Sequence, residues 1–124
     1  MLIEVSDGEI VDKLTIIEIK LENIKDEVKL LNIRKEYAVV DEAVKKIIAK
    51  NDPLYLELLN INKELWKIED DIRDCERAKD FGPKFVELAR AVYFTNDRRA
   101  DVKKRINLQS GSNLIEEKSY QNYQ

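Results

Sequence analysis

The chain has 124 residues, 38% charged and 44% hydrophobic, with a net charge of −3. It has no histidine, one cysteine, three glycines and two prolines. That excludes imidazole catalysis, histidine–metal sites, Ser-His-Asp or Cys-His nucleophiles, a zinc site and an internal disulfide. The acidic balance gives no general pull towards nucleic acid or an anionic membrane, so neither is an expected partner.

A chain this long buries roughly 65–70% of its unfolded surface, enough for a single helical-bundle domain over residues 1–124. Scarce Gly and Pro with abundant charge favour long helices over a sheet. No phosphate-binding G-x-G-x-x-G or G-x-x-x-x-G-K-[ST] pattern occurs, and no cofactor is implied. No apolar run approaches the ~20 residues of a membrane span. The start, Met1-Leu2-Ile3-Glu4, meets an acid too early for a signal peptide. The lone Cys75 fits a reducing compartment, and a cytoplasmic protein is expected.

The first helix opens at Ser6, with Glu9 completing a capping box. Ile10, Leu14, Ile17, Leu21 and Ile24 then repeat at alternating steps of four and three, which keeps one seam on one side. Ile16 and Ile19 add a second strip. A helix apolar on two sides needs cover on two sides, so this is the expected centre of the bundle. Few helices remain to cover it, and a homodimer is expected.

The spacing runs on through Val28 and Leu31. A second series, Leu30, Ile33, Tyr37, Val40, Val44 and Ile47, faces another way. Either one long helix bends, or the chain reverses near Lys25-Asp26 and Asp26 caps a new helix. An unbroken helix to Lys50 would be about 65 Å long, which is long for such a domain, so the reversal is favoured.

Asn51-Asp52-Pro53 starts the third helix, with Asp52 as cap and Pro53 in the first turn. Its seam is Leu54, Leu58, Ile61, Leu65, Ile68, Ile72 and Cys75, so Cys75 reads as a small buried apolar group. Asp80-Phe81-Gly82-Pro83 precedes a fourth helix that reaches about Leu108 and stops at Gly111. Phe85, Leu88, Val92, Val102 and Ile106 form its seam, interrupted by Thr95 and Arg99. The tail is expected to be a strap held by Tyr120 and Tyr123, with a short helical turn over 114–118. From Pro53 to Asp80 there are eight acids and five bases; from Pro83 to Gln109 there are seven bases and three acids. Opposite charge and a short loop set these two helices antiparallel.

Three polar groupings stand out. On the third helix, Trp66, Glu69 and Arg73 share a strip beside the seam; carboxylates a turn apart can hold Mg²⁺, though such runs are more often a solvated face. On the fourth, Thr95-Asn96-Asp97-Arg98-Arg99 breaks an apolar seam, and a buried arginine needs a partner. Arg99 is expected to point inward and pair with Glu69 or Asp70; antiparallel register sets it nearer Glu64, which stands as the alternative. In the tail, Glu116-Glu117-Lys118 must meet the bundle.

At these residues the sequence resembles a bacterial and phage family of small helical proteins of unassigned function. The resemblance rests on V-S-D-G-E-I-V-D-K-L-T-I, K-L-L-N-I-R-K-E, L-W-K-I-E-D-D-I-R-D-C-E, F-V-E-L-A-R-A-V-Y-F-T-N-D-R-R-A and G-S-N-L-I-E-E-K-S-Y. In similar sequences a turn-like pair stands at Lys25-Asp26. The resemblance implies no activity. It places Asp12, Lys13, Trp66, Glu69, Arg73, Arg90, Thr95, Asn96, Asp97 and Glu117 in the family's signature segments. With Arg99 and without Trp66, they are the candidate ligand-binding set. A weaker likeness to all-helical chorismate mutases, through I-V-D-K-L, lacks the early arginines those enzymes need. The leading expectation is a non-enzymatic module that binds itself or a protein partner. The rival is a ligand-binding or metal-assisted enzyme with a polar site between the third and fourth helices. Polar side chains converging in a concavity would favour the rival.

Overall fold

Each helix starts where its capping residue stands. In the computed structural model, which describes residues 1–120, helix α1 spans Asp7–Asn23, α2 Glu27–Val44, α3 Pro53–Arg77 and α4 Pro83–Ser110. Ser6, Asp26 and Asp52 accept hydrogen bonds from the backbone N–H groups of Glu9, Lys29 and Leu54, satisfying donors that a helix start leaves free. Pro83 opens α4 in place of a side-chain cap.

The stops differ. Gly111 adopts the left-handed conformation at φ 72° and ends α4, as its residue type predicts. The same role after α3 falls to Lys79, at φ 54°. Asp80 N–H then reaches the Cys75 carbonyl and Lys79 N–H that of Glu76, closing a Schellman-type stop without glycine.

The chain reverses at Ile24–Asp26, the reading that the length of an unbroken helix favoured over a bend. Val28 and Leu31 continue the spacing of α1 but lie 71% and 66% exposed, because α2 turns a different side inward. That side brings Val40 and Val44 to Leu14, Ile17 and Tyr55 in the common core. Leu58, Ile61 and Leu65 of α3 and Val102 and Ile106 of α4 complete it. Cys75 is a buried free thiol, as its place on the seam implied.

α1 is the helix the others share. It packs against α2, α3 and α4, while α2 rests on α1 and α3 runs along α4. Leu14 and Ile17 on one side of α1 and Ile19 on the other are thus buried within one chain, while Ile16 stays half-buried. Pairs across α3 and α4 fix their antiparallel register: Asp52 with Gln109, Glu57 with Arg105, Glu64 with Arg98. α1 runs antiparallel to α4, with Gly8 at Asn107, Glu9 at Lys103 and Asp12 at Arg99.

The tail follows α4 back as an extended strap. The expected turn of helix over 114–118 is absent. Ser112 Oγ accepts from Asp7 N–H and donates to the Leu114 carbonyl; Asn113 donates to Glu4; Lys104 pairs with Glu117 at 3.0 Å. Tyr120 is 77% exposed and anchors little. Tyr123, its expected companion, lies outside the described residues.

Of the three glycines, Gly8 meets the closest neighbour. A Cβ there would stand 2.4 Å from the Lys103 carbonyl oxygen and 3.0 Å from Asn107 Oδ1. Gly8 N–H also donates to that Oδ1, at 2.6 Å. The neighbour in the way is backbone and cannot rotate aside, so Gly8→Ala must push α1 off α4. The expected loss in urea denaturation is about 2 kcal/mol or more; a loss under about 0.5 kcal/mol, typical of surface positions, would show that the two helices are not held this close.

Candidate functional site

The site grows from one buried carboxylate. The first turns of α1, seated against α4 through Gly8, carry Asp12 inward to 1% exposure. Arg99 Nε donates to Asp12 Oδ1 at 2.9 Å and Nη2 donates to Oδ2, a two-pronged pair. Asn62 of α3 donates to the same Oδ1 at 2.8 Å and to Thr15 Oγ1 at 2.7 Å, and Thr15 donates to the Asp12 carbonyl. Asp12 and its hydrogen bond hold the guanidinium's pKa above its ordinary value, against the opposing effect of burial.

The inward turn of Arg99 is as the broken seam implied; its partner is not. Arg99 meets neither Glu69 nor Asp70, and Glu64 pairs with Arg98 at 2.8 Å. The α3–α4 register does place Glu64 at this level. Successive residues of α4 point about 100° apart, so Arg98 faces α3 while Arg99 faces the third helix in contact, α1.

Past Asp12, the space between α1 and the α3–α4 hairpin opens into a groove of about 440 Å³. α1 contributes Ile16. α3 contributes Asn62 and Leu65 at the floor, then Trp66, Glu69, Asp70 and Arg73 on one wall; Asn96 and Arg99 form the α4 side. Arg73 donates to Glu69 Oε2 at 2.7 Å, one helical turn apart. On the other side of Arg99 a second groove, about 320 Å³, lies under the strap. Asn96 and Arg99 line it again, with Asp97, Lys103, Glu9 and Lys118. Lys103 donates to Glu9 at 2.7 Å with only 13% of its side chain exposed. Lys118, then Lys103, holds the Glu116 carboxyl below its usual range.

Of the residues the sequence singled out, Glu69, Arg73, Asn96 and Arg99 converge on the first groove, and Asp12 anchors its corner. Asp97 joins them in the second groove, and Glu117 lies just beyond, on Lys104. Thr95 is buried at 5% exposure rather than presented. Two stand apart: Lys13 is exposed and pairs with Glu36 at 3.2 Å, and Arg90 stacks over Phe94 at 5.7 Å. Among the described residues no group of three His, Cys, Asp or Glu is placed to hold a metal ion.

The chain matches a family of unknown function (DUF6165) over residues 1–123. It belongs to that family. No curated protein and no solved structure matches it. Within the DUF6165 chain, the segments read as signatures meet in space: the first supplies Asp12, the third Trp66 to Arg73, the fourth Asn96 to Arg99, the last Glu117. Sequence reasoning missed Thr15, Asn62, Lys103 and Gly8. The first two carried a signal, a polar residue beside an apolar seam. Gly8 did too, since a glycine inside a helix's first turn is costly without a close neighbour.

Arg99→Met leaves the Asp12 carboxylate buried with only Asn62 to hold it. The expected cost is about 3–5 kcal/mol in urea denaturation. Changing both residues to apolar ones should cost less than Arg99→Met alone. A double-mutant cycle with coupling under about 0.5 kcal/mol would remove the pair from its structural role.

Proposed function

We propose that this protein binds a small ligand in the groove beside Arg99, between α1 and the α3–α4 hairpin. The observation that supports this reading is convergence. Polar residues from α3 and α4, distant in sequence, line one concavity together with the apolar Ile16 of α1, Leu65 and the Trp66 ring. Its centre is pre-organised, because Asp12, itself held by Asn62, fixes Arg99 in place before any ligand arrives. Nothing in the groove resembles a nucleophile with its base, so the reading is binding rather than catalysis. A cytoplasmic setting belongs to this proposal, on the strength of a sequence with a single cysteine and so no internal disulfide.

A thermal-shift screen of metals, nucleotides, sugars and phosphosugars tests it. A ligand at a hundred times its Kd should raise Tm by roughly 5–10 °C. Asn96→Trp, which fills the mouth, should abolish the shift; a shift that survives the substitution unchanged places the site elsewhere.

A second reading, self-association as a homodimer, rests on a different observation. Between Trp66 and Phe94 only Cys75 reaches full burial, and Phe81, Val86 and Tyr93 are about half exposed. This end of the hairpin has two helices and no third against it. Two-fold pairing would cover these apolar side chains with those of a second copy. Light scattering at micromolar concentration should give twice the 14.6 kDa chain mass, falling to one chain for Val86→Asp. A wild-type mass of one chain would exclude it.

A further inference from the structure

Resting on the reading of the groove as a ligand site, we infer that its ligand is an uncharged, polyhydroxylated ring of the carbohydrate class. The first argument is charge. Two carboxylates, Glu69 and Asp70, and two guanidiniums, Arg73 and Arg99, line the groove. Arg73 is matched by Glu69 and Arg99 by Asp12. No cation is left over for a phosphate or a carboxylate, while Asp70 has no ion-pair partner among the described residues. An anion would meet repulsion without compensation. A purely apolar ligand would strip water from Asp70 and Asn96 and return no hydrogen bond.

The second argument is the kind of group left unspent. Among the described residues the Asp70 carboxylate, the Asn96 amide and the Trp66 indole N–H make no side-chain hydrogen bond. Carboxylates and amides each present two polar atoms in one plane, side by side. Neighbouring hydroxyls on a ring present the matching edge, each both donor and acceptor. The same ring has a C–H face, and the partly buried Trp66 offers an aromatic surface against which such a face packs. The third argument is size. About 440 Å³ is at the lower end of the ~300–1,000 Å³ of small-molecule sites, which suits one or two sugar rings.

Trp66 is the chain's only tryptophan, so its emission reports on this groove alone. The full chain is titrated with neutral mono- and disaccharides of differing hydroxyl stereochemistry, with the corresponding sugar phosphates, and with choline. We expect at least one neutral sugar to shift Trp66 emission saturably. Asn96→Ala and Asp70→Ala should each weaken it by about tenfold with Tm unchanged, and phosphorylation of the sugar should bring no gain. A sugar phosphate that binds tenfold tighter than its free sugar, or saturation by choline alone, overturns the ligand class while leaving the groove as a ligand site. Saturable sugar binding that is indifferent to both Asn96→Ala and Asp70→Ala overturns the groove itself. Silence from every neutral sugar also overturns the inference, and the groove then stands or falls on the thermal-shift screen with Asn96→Trp.

Discussion

Asp12 is 1% exposed among three helices, and its oxygens take hydrogen bonds from Arg99 of α4 and Asn62 of α3. A carboxylate this deep is strongly destabilising without partners and close to neutral with good ones. Every geometry of the bundle that breaks the network is therefore penalised, more sharply than for apolar side chains, which can repack. The network thus specifies one register for α1 against the hairpin. Gly8 sets the distance of that contact, and Asp12 sets its level along the helices. Together they locate the end of the contact, and so the groove that begins there.

The groove follows from this seating. α1 is held to the hairpin in its first half through Gly8, Asp12 and Thr15, and its second half is occupied with α2, where Ile19 and Leu30 are both buried. One helix cannot lie flush against two neighbours on different sides along its whole length unless both are straight and parallel to it. Trp66, Glu69 and Asp70 are what α3 turns towards the resulting gap. Burial elsewhere carries its own cost: Glu18 has a buried carboxylate oxygen without a hydrogen-bond partner in the structure, and desolvation pushes its pKa up.

Helix boundaries, seams and the antiparallel α3–α4 pair were legible in the sequence because they depend on neighbours close along the chain. Ser6, Asp26, Asp52 and Gly111 act within one helical turn, and the loop at Lys79 to Gly82 fixes which residues of α3 and α4 lie level. Lys79 was not legible as a helix stop, since a lysine at positive φ leaves no trace in its residue type. The partner of Arg99 was not legible for a deeper reason. The break in the seam showed that something polar must be matched, but the match came from a residue 87 positions away. No local periodicity says which way α1 leans. The quieter mark was Asn62, a polar residue at helical spacing with Tyr55, Leu58 and Leu65.

The charge of α4 gains its meaning from the same seating. Five cations, Arg98, Arg99, Lys103, Lys104 and Arg105, cluster within eight residues of the sequence. In the fold each turns to a different carboxylate: Arg98 to Glu64, Arg99 to Asp12, Lys103 to Glu9, Lys104 to Glu117, Arg105 to Glu57. Three of those pairs, at Arg98, Lys104 and Arg105, are well exposed and contribute a few tenths of a kcal/mol each at most. The pairs at Asp12 and Glu9 are the sheltered ones, and both join α4 to α1. The basic excess of the helix is thus spent in holding the element that shapes the groove, and the groove itself is left with matched charges, one free carboxylate and an indole.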